Sequence, residues 1–205
     1  MANPAESAFR FPEIHSFPPF FTLQPNEATQ KKQTEMWIQL ILDYARAHRL
    51  FQLNLQRPHE PAALFTNTKL QRAITQEHLA TILDAMAAQE RGQWLQSKAG
   101  GATAATAGTT VKDKGPFLVH WRTPAEWGDL LHRWADETGQ LGAVCTVFEV
   151  LHGSLSEGQA FHELPEIVAL LAFENLVKRG RAQLFSGSAP SAGLMERGIK
   201  FLASP

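Results

Sequence analysis

The stretch Phe117-Leu118-Val119-His120-Trp121-Arg122-Thr123-Pro124-Ala125-Glu126-Trp127-Gly128 decides how this chain is read. Its first five residues are strand-like. The rest is the clearest helix start in the sequence. Thr123 and Glu126 have the spacing of a capping box, and Pro124 stands at the first helical position, where a missing N–H costs nothing. Trp127, Leu130, Leu131 and Trp134 then recur on one face, and Gly139 ends the helix. A strand thus hands over to a new helix at Arg122-Thr123 without a Gly-rich spacer, and the elements on either side repeat one order.

Downstream, Val144 to Leu151 reads as a short strand running into a short helix. A third helix covers about 165–179. It has Glu166 in its first turn, Lys178 and Arg179 in its last and Gly180 just beyond, an arrangement that complements the helix dipole. A hairpin pairing about 182–185 with 199–202 closes this half. Upstream, Asn26 caps a helix that carries Trp37, Leu40, Ile41 and Tyr44 on one face and fades near His48. Leu53 and Leu55 alternate with polar neighbours, Pro58 and Pro61 mark a loop, and a short helix is expected around Lys69-Leu70-Gln71-Arg72. Thr75 caps a stronger helix with Leu79, Ile82, Leu83 and Met86 on one face and Gly92 as its stop. Gln93-Trp94-Leu95 and Phe117 to Trp121 follow as a hairpin. Its tip, 97–115, is nearly all Ala, Gly, Thr, Ser and Lys, which predicts a flexible insertion.

Each half therefore reads helix, strand, helix, helix, strand, strand, the order of a winged helix. The expected fold class is α+β, mainly helical, with two tandem winged-helix domains at 26–122 and 123–205. The short junction should hold them in a nearly fixed relation.

Ahead of both lies Phe17-Pro18-Pro19-Phe20-Phe21-Thr22-Leu23-Gln24-Pro25, with three Phe rings and three prolines in nine residues. Proline fixes φ, removes donors and pushes the residue before it toward extended geometry. Residues 1–25 are thus expected to be a pre-ordered, extended strap packed with the first domain. Such a strap can offer its rings to a partner pocket or fold back to complete its own core.

Composition narrows the function. The 205 residues carry a formal net charge of −1 and no long run of one sign, unlike proteins that live on phosphates. One cysteine, Cys145, excludes an internal disulfide framework. No apolar run is long enough to cross a bilayer, and Met1-Ala2-Asn3-Pro4-Ala5-Glu6 lacks the pattern of a secretory leader, so a soluble cytoplasmic protein is expected. The eight histidines are scattered, and His162-Glu163 lacks the second histidine of a zinc-protease helix. No nucleophile elbow, phosphate loop or Cys-rich zinc site is present, so neither catalysis nor a cofactor is expected. A winged helix raises the alternative of a DNA-binding transcriptional regulator. The third helix of the first half, however, carries Glu77, Asp84 and Glu90 against Arg91. That of the second carries Glu166 and Glu174, with its cations only at the far end. Protein–protein interaction remains. On the helix at 165–179, Leu170, Phe173, Leu176 and Val177 suffice for a core face, which leaves Val168 and Leu171 partly off it as a second apolar stripe.

Phe17 to Asn26 resembles the signature of the vacuolar protein sorting-associated protein 25 family, the small subunits of the endosomal ESCRT-II complex. So do Trp37, Leu64-Phe65 with Lys69 to Arg72, Trp94-Leu95, Phe117 to Arg122 and Pro124-x-Glu126-Trp127-Gly128. Phe161-His162 and Gly198 to Phe201 extend the resemblance over nearly the whole chain. It implies a non-enzymatic protein with tandem winged helices, present in two copies beside two larger ESCRT-II subunits. It implies that the strap, here Pro18, Pro19, Phe20 and Phe21, enters hydrophobic pockets on those partners. It further implies that the second winged helix recruits and activates an ESCRT-III subunit, the contact placed here at Val168 and Leu171. The process implied is sorting of ubiquitylated membrane cargo into multivesicular bodies by a cytoplasmic protein brought peripherally to endosomes, with no direct membrane or nucleic-acid contact of its own.

Overall fold

Asn26 opens the first helix as expected: its side-chain oxygen accepts the Thr29 N–H at 3.1 Å. A computed structural model of the chain describes residues 9–95, 114–186 and 193–203, and its contacts divide the chain into two compact units, Met1–Trp121 and Arg122–Pro205. In the first, helix α1 (Glu27–Ala47) buries Trp37, Ile38, Leu40, Ile41 and Tyr44. Strand β1 (Gln52–Leu53), helix α2 (Ala62–Phe65), strands β2 (Thr66–Asn67) and β3 (Arg72–Ala73), helix α3 (Gln76–Ala88) and strands β4 (Gly92–Trp94) and β5 (Phe117–Val119) follow. β5 is central in an antiparallel sheet, with Leu118 opposite Gln93 of β4 and Gln52 of β1. Leu79, Ile82, Leu83 and Met86 of α3 complete a core around Trp37, Phe65 and Phe117.

Two expectations are corrected here. Lys69 to Arg72 is not a helix. Thr66 and Asn67 pair with Ala73 and Arg72 in a small hairpin, and the Asn67 side chain accepts the Leu70 N–H at 3.1 Å. That local bond and the left-handed Gln71 (φ 51°) make a turn where helical propensity alone suggested a helix. The intervening helix is α2, which begins seven residues upstream. Nor does Gly92 stop α3. The helix ends at Ala88, and Glu90 supplies the left-handed residue at φ 57°. Gly92 belongs to β4, where a Cβ would collide with the Phe117 ring and lie 2.6 Å from the Leu118 carbonyl. The expected insertion at 97–115 falls, apart from its last two residues, outside the described residues.

The second unit starts on the expected capping box. Thr123 Oγ1 accepts the Glu126 N–H at 3.2 Å, and Glu126 Oε2 accepts the Thr123 N–H at 2.7 Å. Helix α4 (Pro124–Glu137) packs on helix α6 (Glu166–Lys178), with strand β6 (Val144–Thr146) and helix α5 (Val147–His152) between them in sequence. Strands β7 (Ala182–Leu184) and β8 (Gly198–Phe201) form the closing hairpin, and β6 pairs with the other edge of β8. Trp127, Leu131, Trp134, Val150, Phe161, Phe173, Ile199 and Phe201 form the core. A second capping box, Thr146 with Glu149, starts α5 and was not singled out from sequence. Each unit thus has the helix, strand, helix, helix, strand, strand order of a winged helix, the first with the β2–β3 hairpin added. Among the described residues no helix is long and apolar enough to cross a membrane.

Candidate partner-binding site

The strap is built as two single 3-10 turns, Glu13–Ser16 and Pro18–Phe21, joined by the extended residue Phe17. It is therefore not a straight extended segment. Pro18 and Pro19 lie at the start of a turn, where no N–H is required, and their fixed φ suits it. The turn closes through the Phe20 N–H to the Phe17 carbonyl at 3.0 Å and the Thr22 N–H to the Pro19 carbonyl at 3.2 Å.

The rings of Phe20 and Phe21 are both 2 % exposed and lie in the core of their own unit. Phe20 stacks on Trp37, with centroids 4.2 Å apart and planes 6° from parallel. Phe21 meets the same indole edge-on at 5.6 Å. Of the two uses open to the strap, folding back is the one these two rings adopt, because α1 offers them the Trp37 face within the same chain.

Polar groups of α1 fix the backbone above the rings. Trp37 Nε1 donates to the Phe20 carbonyl at 3.0 Å. The buried Gln33 amide donates to the carbonyls of Pro19 (3.1 Å), Phe20 (2.9 Å) and Thr22 (2.9 Å). Gln24 adds donations to the Pro19 and Thr22 carbonyls at 3.0 and 2.8 Å. Sequence reasoning missed Gln33. Its only signal is its place one turn before Trp37, on the same face of α1. His15 Nε2 donates to the Leu64 carbonyl at 3.0 Å, and burial lowers its pKa against the opposing pull of that bond. What faces solvent is Phe17, 53 % exposed, together with Pro18, Pro19 and Leu23. The arrangement is an apolar ridge on a backbone already immobilised by hydrogen bonds, which lowers the ordering cost of binding.

On the second unit, Val168 is buried at 6 %, and the core face of α6 is Val168, Ala169, Ala172, Phe173 and Leu176. The expected face is thus rotated: Leu170 and Leu171 are half-buried and Val177 is exposed. Gly128 of α4 explains the rotation. A Cβ on it would lie 3.1 Å from Leu176 and 3.4 Å from the Ala172 carbonyl, so α6 turns its small residues toward α4. Leu171 remains on the open side; Val168 does not. Val144, Phe148 and Leu155 are further exposed apolar residues of this unit that sequence reasoning did not single out.

One cation at the far end of α6, Arg179, is already engaged, as is Arg181 just past the helix. Arg179 and Arg181 both pair with Asp129 of α4, at 2.8 and 3.2 Å. This weakens further the case for phosphate contact by the helix. Glu149 is held below the usual carboxylate range by the Thr146 backbone N–H and hydroxyl, which identifies it as a cap. Burial pushes the Cys145 thiol up, away from the reactive thiolate. Among the described residues no three His, Cys, Asp or Glu side chains are grouped to hold a metal ion.

Comparisons with known proteins bear on this geometry. The family described as "ESCRT-II complex subunit" matches residues 14–165. Vacuolar protein-sorting-associated protein 25 of Xenopus laevis is 33% identical over 193 residues, covering 94% of this chain and 98% of that one. Two solved structures share the fold. One is subunit VPS25 of the endosomal trafficking complex ESCRT-II, with a TM-score of 0.75 at 23% identity, covering 93% of this chain and 98% of that chain. The other is a chain of the VPS22/VPS25/VPS36 complex, with a TM-score of 0.72 at the same identity and coverage.

Proposed function

The chain belongs to the ESCRT-II complex subunit family, whose members are non-enzymatic parts of an endosomal trafficking complex, and we propose that it joins its complex through the outer ridge of the strap. The partners are two larger subunits corresponding to VPS22 and VPS36, each met by one of two copies of this chain. Phe17, Pro18 and Pro19 enter the partner's hydrophobic pocket. Phe20 and Phe21 act from below, as anchors that hold the ridge in place. The observation that carries this reading is the contrast within five residues between an exposed Phe17-Pro18-Pro19 ridge and two fully packed rings.

The second unit recruits and activates an ESCRT-III subunit through the open side of α6, where Leu171 lies, and Val168 supports that surface from the core. The complex carries the chain to endosomal membranes for sorting of ubiquitylated cargo into multivesicular bodies.

Co-purification of the tagged chain with its two partners, weighed by native mass spectrometry, tests the first part. Phe17→Asp with Pro19→Ser should leave the melting temperature unchanged, lower partner recovery at least tenfold and abolish the assembly with two copies of this chain. A variant that folds and still co-purifies at the wild-type ratio overturns the proposal.

A further inference from the structure

His78 lies in the first turn of α3, wholly buried, and neither of its ring nitrogens makes a well-formed hydrogen bond among the described residues, although the Phe21 main chain is close enough to act on the ring. A buried polar group left in this state requires an explanation. The imidazole sits beneath the strap. It meets Trp37 edge-on at 6.3 Å, and the Phe21 main chain lies against it. A second buried imidazole, His15, approaches the Phe21 ring at 5.2 Å. Phe21, the inner anchor of the strap, is therefore bracketed by two histidines.

The surrounding elements offer little to balance a positive charge there. The turn Pro18–Phe21 has no ionisable side chain, and neither has α2. The buried face of α1 contributes Gln33, Thr34, Trp37, Ile41 and Tyr44, none of them a carboxylate. Glu13 on the first turn, Arg72 on β3 and Glu77 on α3 itself are exposed to solvent.

We infer that His78, assisted by His15, makes the seating of the strap proton-sensitive: an imidazolium cannot remain under Phe21, so its formation lifts the Phe20–Phe21 anchor and frees the segment. Burial lowers the pKa of both groups, for His78 against the Phe21 main chain and for His15 against its bond to Leu64. A histidine depressed in the seated state stabilises seating fully above its exposed value of about 6.5, and that contribution is lost as pH falls from there toward the seated value. The inference gives a regulation to the strap and rests for its use on the partner role proposed above. Its test needs no partner, so the two ideas fail separately.

The test is amide hydrogen exchange of the full chain between pH 7.5 and 5, with rates corrected for the intrinsic pH dependence. The reporters are the Phe20 and Thr22 amides, which close the strap turn, and the Val119 amide, which donates to the Phe51 carbonyl within the same unit. Strap protection should fall by up to about tenfold per pH unit below about 6.5, while Val119 stays protected. His78→Phe, which keeps an aromatic ring beside Trp37, should remove most of that fall. Strap protection that is flat to pH 5 overturns the inference. So does a fall shared equally with Val119, or one unchanged in both His78→Phe and His15→Phe. The wild-type titration decides by itself should a variant fail to fold.

Discussion

Truncating Phe20 to Ala should act on the fold first and on assembly only in consequence. The ring is 2 % exposed and stacked on Trp37 at 4.2 Å, so its removal both loses apolar burial and leaves a hole against the indole. Buried Phe→Ala changes cost about 3–5 kcal/mol. The strap can partly collapse into the gap, because it enters from outside α1 rather than between core strands, which favours the lower figure. The stacked contact itself adds about 1 kcal/mol. An expected loss of about 4 kcal/mol is a large part of the about 5–15 kcal/mol that holds a domain together. Phe17, 53 % exposed and three residues earlier, should change stability by no more than about 0.5 kcal/mol on the same substitution. Urea unfolding of the isolated chain, followed by tryptophan fluorescence, measures both. The first unit should unfold at a markedly lower midpoint in Phe20→Ala and at the wild-type midpoint in Phe17→Ala. A Phe20→Ala loss below about 1 kcal/mol would refute the reasoning, since the ring would then not be a core residue and would be free to enter a partner.

Three further outcomes follow from the same geometry. Gln33→Met keeps the volume, removes the donations to the strap carbonyls and relieves an unpartnered Oε1. The carbonyls retain Gln24, Trp37 and the Thr22 amide as donors, so the net loss should be about 1 kcal/mol, read as a fewfold fall in Phe20 and Thr22 amide protection. Gly92→Ala forces a methyl against the Phe117 ring and the Leu118 carbonyl and should cost about 2 kcal/mol or more in a urea melt; a neutral result would show that β4 and β5 can separate freely. On α6, Val168→Asp should destabilise the second unit by about 3 kcal/mol or more, whereas Leu171→Asp should fold and instead weaken binding of an ESCRT-III subunit by surface plasmon resonance. Equal melting temperatures for the two would contradict the burial of Val168.

Local grammar was legible in the chain. Thr123 with Glu126, Asn26, and Thr75 start helices through bonds between residues three apart in the chain, and such signals survive without tertiary context. Apolar spacing then placed Trp37, Leu79, Leu83, Trp127 and Leu131 on inner faces, because a helix of 3.6 residues per turn leaves little choice. Even the importance of the Pro/Phe segment was legible, since three prolines and three rings have few uses.

Which way those rings point is set by contacts distant in sequence. Whether Phe20 and Phe21 serve a partner or their own core depends on the Trp37 face and on Gln33, more than ten residues away, and no local rule weighs that competition. The same holds on α6. Its abundance of apolar residues allows more than one core face, and the choice fell to Gly128, thirty-eight or more residues earlier in the chain, which admits Ala172 and Leu176 and leaves Leu171 only half-buried. Helix starts are settled by neighbours in sequence; the assignment of an apolar side chain to core or surface is settled by neighbours in space.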